Sequence, residues 1–324
     1  MSSTTIFILA LSILNIATVH GEKINKPPLL PGFNGLDAAL KKNLPKTSHD
    51  KVDLWSPGWI LEDCKILAEN NSFSPHDIET FSIRYTDCPS PWILCRHKDS
   101  PDPLWHSVEL FGRIPVRARS HIKGMLMLPN NVTDYAYNAN NYLVIFNQQN
   151  AAHHDWSSLT VIMHEVGHSL DLDGYRDRPL SASDKWRAAL DQDSMVPDAY
   201  AGTDVREDVA QNTVIATYDL VVPGGLGNVK GVDWHGIQHQ YELIKREQAD
   251  ANTSNLLVPG GQCVTRLPNS PAVQISGKKR TRRAPRGVNL LKGKPNTDLV
   301  EGLKVLVPSR NFSTEYFCHR PEGA

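Results

Sequence analysis

The sequence predicts an α+β fold in which a small mixed β-sheet lies beside a helix that carries two histidines. Short runs of aliphatic, β-branched and aromatic residues, bounded by turn residues, predict strands in the first half of the chain. Longer runs with apolar residues at helical spacing predict helices further on. With 324 residues, 40% of them hydrophobic and 21% charged, the chain is long enough to bury a sizeable core.

The predicted elements follow one another in this order. Residues 22–50 are rich in Pro, Gly, Lys and Asn, and we expect an extended arm there. A short helix is predicted at 75–80 and strands at 81–85, 92–94, 124–128 and 141–146. Helices are predicted at 157–171, 181–192, 204–220 and 233–247. In the third of these, polar Asn212 and Thr213 interrupt the apolar stripe, so its ends are not fixed by the pattern.

The N-terminus is typical of a secretory signal peptide. An apolar segment at 6–14 is too short to span a bilayer, and Val19-His20-Gly21 offers a cleavage site before Glu22. A membrane anchor and a buried strand are the alternatives. The sequence therefore predicts a signal peptide at 1–21, a secreted extracellular protein, and no membrane association after cleavage.

Five cysteines follow the predicted cleavage site, and an oxidising compartment favours disulfides. Cys88 and Cys95 are candidates for one pair, which would close a small loop. Cys263 and Cys318 are candidates for a second pair that ties the tail back, and Cys64 would then be left over. Four Asn-x-Ser/Thr sequons predict glycosylation at surface positions, at Asn70, Asn131, Asn252 and Asn311.

The charge distribution argues against a nucleic-acid partner. The net charge is −1, and nothing in the overall balance would attract phosphates. One basic run, at 278–283, is the local exception. A solvated loop is its default interpretation; a processing site and a patch for anionic surfaces are the alternatives.

The strongest chemical signal is His164-Glu165-Val166-Gly167-His168, in the helix predicted at 157–171. Histidines four residues apart lie on one face of a helix, one turn apart, so both can bind one ion. Glu165 would project to the side, where it can hold and deprotonate a water molecule. The motif therefore predicts one catalytic Zn²⁺. The residues expected to bury the apolar side of this helix are Val161, Ile162, Val166 and Leu170.

A catalytic zinc needs a third protein ligand. The preferred candidate is Glu207, which lies 39 residues after His168 (207 − 168) on the helix predicted at 204–220. Asp171, one turn beyond His168, suits either direct ligation or orientation of a ligand histidine, and we prefer the second role. Asp204 is an alternative ligand, because Gly202-Thr203-Asp204 resembles part of the aspzincin motif, although the rest of that motif is missing.

Two segments around these residues resemble the lethal-factor type of gluzincin zinc peptidases. The first is the run from His164 to Asp171 and the second the run from Tyr200 to Gln211. The same segments are similar to secreted fungal proteins of the conidiation-specific, metallopeptidase-like group. The resemblance covers residues 160–220 and implies a zincin-like fold, with the active helix beside a mixed sheet and a second helix that carries the Glu ligand.

The resemblance also implies roles for two further residues. Tyr200 keeps the separation of seven residues from Glu207 that the lethal-factor pattern shows, which implies a phenol that stabilises the oxyanion. A packed or capping tyrosine is the alternative. At position 211 the family has a carboxylate and this chain has Gln211, which can accept a hydrogen bond from a ligand histidine but supplies no charge.

Taken together, these residues predict a zinc endopeptidase that acts on proteins or peptides. The expected organisation is a signal peptide at 1–21, an arm and disulfide-clipped accessory region at 22–120, a catalytic core at 121–250 and a C-terminal region at 251–324. Two other hypotheses stay open: a secreted zinc-binding interaction protein on a peptidase scaffold, and a latent enzyme activated by cleavage at 278–283.

Two further histidine pairs are weaker candidates for site residues. His235 and His239 are four apart, but no Glu follows the first, so packing is preferred over a second metal site. His153 and His154 precede the active helix and would either line the cleft or lie in a loop.

Overall fold

The computed structural model describes residues 23–130, 135–148, 158–250, 255–276 and 288–306. Eight α-helices lie in this part of the chain: α1 (Asn34–Asn43), α2 (Glu62–Asn70), α3 (Leu104–Arg113), α4 (Val116–Arg119), α5 (Leu159–Asp173), α6 (Asp184–Gln192), α7 (Val205–Val221) and α8 (Gln238–Asp250). The strands there are β1 (His49–Leu54), β2 (Trp59–Leu61), β3 (Ile78–Tyr85), β4 (Trp92–His97), β5 (Gly124–Asn130), β6 (Tyr135–Ala139), β7 (Tyr142–Gln148), β8 (Thr265–Arg266), β9 (Ala272–Gln274), β10 (Asn289–Leu290) and β11 (Lys304–Val305).

Seven strands form one mixed sheet in the order β10-β1-β3-β4-β5-β7-β6. Neighbours β10/β1, β4/β5 and β5/β7 are parallel, and β1/β3, β3/β4 and β7/β6 are antiparallel. The predicted α+β class with a mixed sheet is therefore confirmed. The sheet is larger than predicted, because the region at 22–120, predicted as accessory, contributes β1, β3 and β4 to it.

Both faces of the central strands are covered. Met125, Met127 and Leu143 face a cluster that includes residues of α1, α3, α5 and α7. Leu126 and Val144, which alternate with them, face a second cluster with α2 and β2. A strand that is buried on both faces has no polar side, which is why β5 and β7 are nearly continuous apolar runs.

Helix α7 runs through the interior of the protein. All residues from Glu207 to Tyr218 are buried. Its polar side chains are satisfied locally: the Thr213 hydroxyl donates to the carbonyl of Val209 at 2.9 Å, and the Asn212 amide donates to the carbonyl of Asp208 at 2.9 Å. A helix that is buried on every side needs no single apolar stripe, so the interrupted pattern of this helix follows from its position.

The predicted extended arm at 22–50 was wrong in its second half, which forms α1 and the start of β1. Leu36 and Leu40 of α1 lie one helical turn apart and are both buried in the core. On the same helix, Asp37 and Lys41 form an ion pair at 2.8 Å. These spacings of four residues stabilise a helix in a segment whose Asn, Gly and Pro content indicated a loop.

The disulfides also differ from the predicted pairs. Cys64 pairs with Cys95, and Cys88 pairs with Cys263, so Cys64 is not left over. The predicted Cys88–Cys95 pair fails because the two residues belong to different core clusters, on opposite faces of the sheet. The other predicted partner, Cys318, lies outside the described residues.

Several predictions fall outside the described residues. These are the signal peptide at 1–21, the sequons at Asn131, Asn252 and Asn311, the pair His153-His154 and the basic run at 278–283. The remaining sequon residue, Asn70, is exposed at the end of α2. Within the described part of the chain, no helix combines the length and hydropathy that a membrane span requires.

Candidate metal centre

Helix α5 carries the two histidines and is held firmly in place. It begins at Ser158, whose side chain accepts a hydrogen bond from the backbone N–H of Val161. Three of the four predicted packing residues, Ile162, Val166 and Leu170, are fully buried, whereas Val161 is 37% exposed. This differs from the prediction because, in the first turn, Leu159 and Thr160 are buried and Val161 is the residue that faces solvent.

The edge strand β6 fixes α5 from one side. The Asn138 amide donates to the carbonyl of Glu165 and to the hydroxyl of Ser169, both at 2.8 Å. Because both contacts are buried, they set the position of α5 relative to the edge of the sheet.

Helix α7 crosses α5 at Gly167, the fourth residue of the motif. A Cβ atom at Gly167 would lie 2.8 Å from the Cα of Ala210. Only glycine therefore allows the two backbones to come this close. Since Ala210 lies one turn after Glu207 on α7, this crossing brings the Glu207 carboxylate to the histidines.

Three ligand-type atoms converge at this crossing. The Nε2 atoms of His164 and His168 lie 3.1 Å apart, and the Oε2 atom of Glu207 lies 3.1 Å from the first and 3.2 Å from the second. The three residues are 7%, 4% and 7% exposed. Ligand atoms placed about 2.0–2.1 Å from a zinc ion at tetrahedral angles would be about 3.3 Å apart, so this triangle fits one zinc ion.

The charge of Glu207 suits a cation. Burial acts to raise the pKa of this carboxyl. The charges of His168 and His164, together with the hydrogen bonds from both, outweigh burial and hold the pKa well below its usual range. The group therefore presents an anionic oxygen to the two imidazoles.

Glu165 and Tyr200 both lie at this cluster. One carboxylate oxygen of Glu165 and one ring nitrogen of each histidine are all within 4.8 Å of one another, and Glu165 is 2% exposed. The Tyr200 ring lies 5.6 Å from the His164 ring, centroid to centroid, and is half-buried. The structure thus brings together all five residues predicted as ligands and catalytic groups.

Gln211 lies behind His164. Its Oε1 is 3.1 Å from Nδ1 of His164, and its Nε2 donates to Oδ2 of Asp198 at 2.6 Å. The hydrogen bond to His164 is the one expected for this residue. Asp198 was missed by sequence reasoning, because no helical or strand pattern links this loop residue to position 211.

Asp171 serves mainly to hold the segment after α5. Its two carboxylate oxygens accept hydrogen bonds from the Ser181 backbone N–H and hydroxyl, each at 2.7 Å. Burial raises the pKa of Asp171 to about 6, although the Ser181 contacts and the charge of His168 act in the opposite direction. Both oxygens of Asp171 are therefore engaged by Ser181.

The alternative ligand Asp204 is occupied elsewhere. Its side chain caps the N-terminus of α7 by accepting from the Arg206 N–H, and it forms an ion pair with the Arg206 guanidinium at 2.6 Å.

His235 and His239 lie at the surface and bind different carboxylates, those of Asp233 at 2.7 Å and Asp193 at 2.8 Å. These two histidines do not share a site.

Comparison with known proteins places the chain in a family. Residues 29–234, which include every residue of the candidate metal centre, match the family described as "Conidiation-specific protein Con-13". The chain is 30% identical over 212 residues to conidiation-specific protein 13 of Neurospora crassa, an alignment that covers 62% of this chain and 57% of that protein. The chain thus spans less than two thirds of the length of this relative. No solved structure matches the chain. On the extent of the family match, the chain belongs to the conidiation-specific protein Con-13 family.

Proposed function

We propose that this protein is a secreted zinc-dependent endopeptidase of the gluzincin type, with a zincin-like core. The observation that carries the proposal is the triangle of His164 Nε2, His168 Nε2 and Glu207 Oε2, with sides of 3.1–3.2 Å, next to the Glu165 carboxylate. Two histidines and a glutamate from two helices, with a further glutamate beside them, form the ligand set and base of a hydrolytic zinc centre.

His164, His168 and Glu207 would hold the ion, which when bound supplies a Lewis acid that lowers the pKa of water and polarises a carbonyl. Glu165 takes the proton of the attacking water and then delivers it to the leaving amine. Tyr200, whose ring lies beside that of His164, would donate a hydrogen bond from its phenol to the oxygen on which negative charge develops. Burial of the ligands lowers the local dielectric constant and so strengthens the electrostatic effects of these groups.

Two observations support the proposed secretion. The N-terminal segment has the pattern of a signal peptide. In addition, the disulfides Cys64–Cys95 and Cys88–Cys263 are of the kind that persists in oxidising compartments.

A zinc-binding interaction protein is the second candidate. The observation that favours it is the low exposure of the ligands and of Glu165, from 2% to 7%, which limits the access of a polypeptide substrate. In that case zinc would be bound and turnover would be absent.

The test is digestion of a denatured protein substrate by the wild type and by Glu165→Gln, with zinc content measured for both. We expect Glu165→Gln to keep zinc and to lose activity by about 10²–10⁴-fold, since it removes the general base. Glu247→Gln is a matched control, because Glu247 is also buried but is bound by Lys185 on another helix. It should retain activity. Equal digestion by wild type and Glu165→Gln, or none by either with zinc bound, would exclude the peptidase.

A further inference from the structure

A chain of three polar side chains runs from the metal centre into the protein. Nδ1 of His164 is 3.1 Å from Oε1 of Gln211, and Nε2 of Gln211 donates to Oδ2 of Asp198 at 2.6 Å. All three residues are buried, with exposures of 7%, 8% and 6%. Buried hydrogen-bond chains of this kind fix the orientation of each member.

The carboxylate at the end of the chain sets the direction of every hydrogen bond in it. A carboxylate accepts hydrogen bonds only, so the Gln211 amide must turn its NH₂ group to Asp198 and its oxygen to His164. An amide oxygen also accepts only, so Nδ1 of His164 must carry the proton. The lone pair of His164 then lies on Nε2, the nitrogen that faces Glu207 and His168.

The second oxygen of Asp198 binds the loop that carries Tyr200. Oδ1 of Asp198 accepts from the backbone N–H of Ala201, the residue after Tyr200, at 2.8 Å. The Tyr200 ring lies 5.6 Å from the His164 ring. One carboxylate therefore orients both the ligand histidine and the loop of the tyrosine.

We propose that Asp198 is a positioning residue of the metal centre, which acts through Gln211 to hold His164 in the tautomer that binds metal at Nε2. The inference rests on the proposed zinc site and identifies a residue that determines its affinity. The Asp198–Gln211 pair does with two side chains what one carboxylate hydrogen-bonded to a metal-binding histidine does directly.

Exchanging the carboxylate and the amide between positions 198 and 211 tests the direction of these hydrogen bonds. In Asp198→Asn, the new amide oxygen is held by the Ala201 N–H, so its NH₂ group faces Gln211. Gln211 must then turn round and present its own NH₂ group to His164, which moves the proton away from Nδ1. In Gln211→Glu, two carboxylates face each other across 2.6 Å. In the double variant Asp198→Asn/Gln211→Glu, the new amide donates to the new carboxylate, and that carboxylate accepts from His164, so the original polarity returns.

The measurement is the zinc affinity of the four proteins by competition with a chelator, with the thermal midpoint recorded for each. We expect each single variant to bind zinc about 10–100-fold more weakly, the range for residues that orient a metal ligand, and the double variant to recover most of this loss. Asp193→Asn is the matched control. Asp193 is another buried carboxylate, bound by Gln240 at 2.9 Å and His239 at 2.8 Å, and its replacement should leave zinc affinity unchanged.

Wild-type affinity in Asp198→Asn, or a double variant as weak as the weaker single one, would overturn the inference. If zinc binds but no substrate is cleaved, the peptidase proposal fails while the affinities still decide the role of Asp198. If the wild type binds no zinc, ¹⁵N NMR of histidine-labelled protein tests whether Asp198 sets the tautomer of His164. A proton on Nδ1 of His164 in the wild type that is absent in Asp198→Asn supports the inference, and the same state in both overturns it.

Discussion

His121 lies in the turn after α4 and is buried, and neither of its ring nitrogens has a hydrogen-bond partner among the described residues. Burial lowers the pKa of His121 from 6.5 to about 4, although the charge of Asp173 acts in the opposite direction. Since the unfolded chain then binds a proton more readily than the folded one, stability is lost as pH falls from 6.5 to 4.

Replacing His121 by Gln should remove this part of the acid sensitivity. Between pH 6.5 and pH 4 we expect the wild type to lose up to about 3 kcal/mol of unfolding free energy more than the variant, from 1.36 kcal/mol for each unit of pKa. Urea denaturation of both metal-free proteins across this range measures the difference. Parallel pH profiles for the two proteins would contradict the assignment to His121.

Candidate site residues that share a helix, or that complete a known ligand set, could be predicted from the sequence. Residues that meet only through the tertiary fold could not. His164 and His168 follow from helical geometry, and Glu207 from the chemistry of a third ligand. Asp198 reaches Gln211 only because a loop folds back on α7. The cysteine pairs were mispredicted for the same reason, since the face of the sheet on which each cysteine lies is a tertiary property.

At the level of elements, the crossing of α5 and α7 determines the geometry of the centre. The two backbones approach each other closely at Gly167. A Cβ atom there would lie 2.8 Å from the Cα of Ala210 and 3.1 Å from its carbonyl oxygen. Because these contacts are with backbone atoms, no side-chain rotation can relieve them.

Gly167→Ala should therefore push the two helices apart. We expect a loss of about 1–3 kcal/mol from overpacking, offset by up to about 1 kcal/mol of helix propensity, and a weaker zinc affinity. Gly35→Ala is the control, because Gly35 lies in α1 with no atom within 4 Å of its Cβ position, so it should be neutral or stabilising. Denaturant unfolding and chelator competition measure both effects. Unchanged zinc affinity in Gly167→Ala would show that the crossing does not set the ligand positions.

Hydrophobic periodicity predicted the bounds of α5 and α6 most accurately. Helix α6 was predicted at 181–192 and spans Asp184–Gln192, and α5 was predicted at 157–171 and spans Leu159–Asp173. Helix α1 was missed because its ten residues include two Asn and one Gly, and burial of Leu36 and Leu40 compensates for them. Tertiary packing of this kind cannot be read from local propensity.

On the scale of the whole molecule, the metal centre lies near one edge of the seven-stranded sheet, and the described segments before and after residues 278–283 pair with other strands. Helix α5 packs against β6 and β7, at one edge. The described segment before residues 278–283 contains β9, which pairs with β2. The described segment after them contains β10, which pairs with β1 at the other edge of the sheet. Both of these described segments are therefore paired with strands other than β6 and β7, which lie beside α5.

Cleavage within 278–283 should consequently leave activity unchanged. The pairing of β10 with β1 and of β11 with β8 holds the C-terminal segment in place, and neither pairing includes a residue of α5 or α7. Activity measured before and after limited proteolysis at these residues checks this expectation. Activity that appears only after cleavage would instead support the latent enzyme.

The zinc content of wild type, Glu207→Ala and Asp204→Ala, each measured after dialysis, tests the ligand triangle most directly. Asp204→Ala removes the cap of α7 and its ion pair with Arg206, at a cost of about 1 kcal/mol in stability, but no ligand. We predict one zinc ion per chain in the wild type and in Asp204→Ala, and loss of zinc in Glu207→Ala. Zinc retained by Glu207→Ala, or absent from the wild type, would contradict the proposed metal centre.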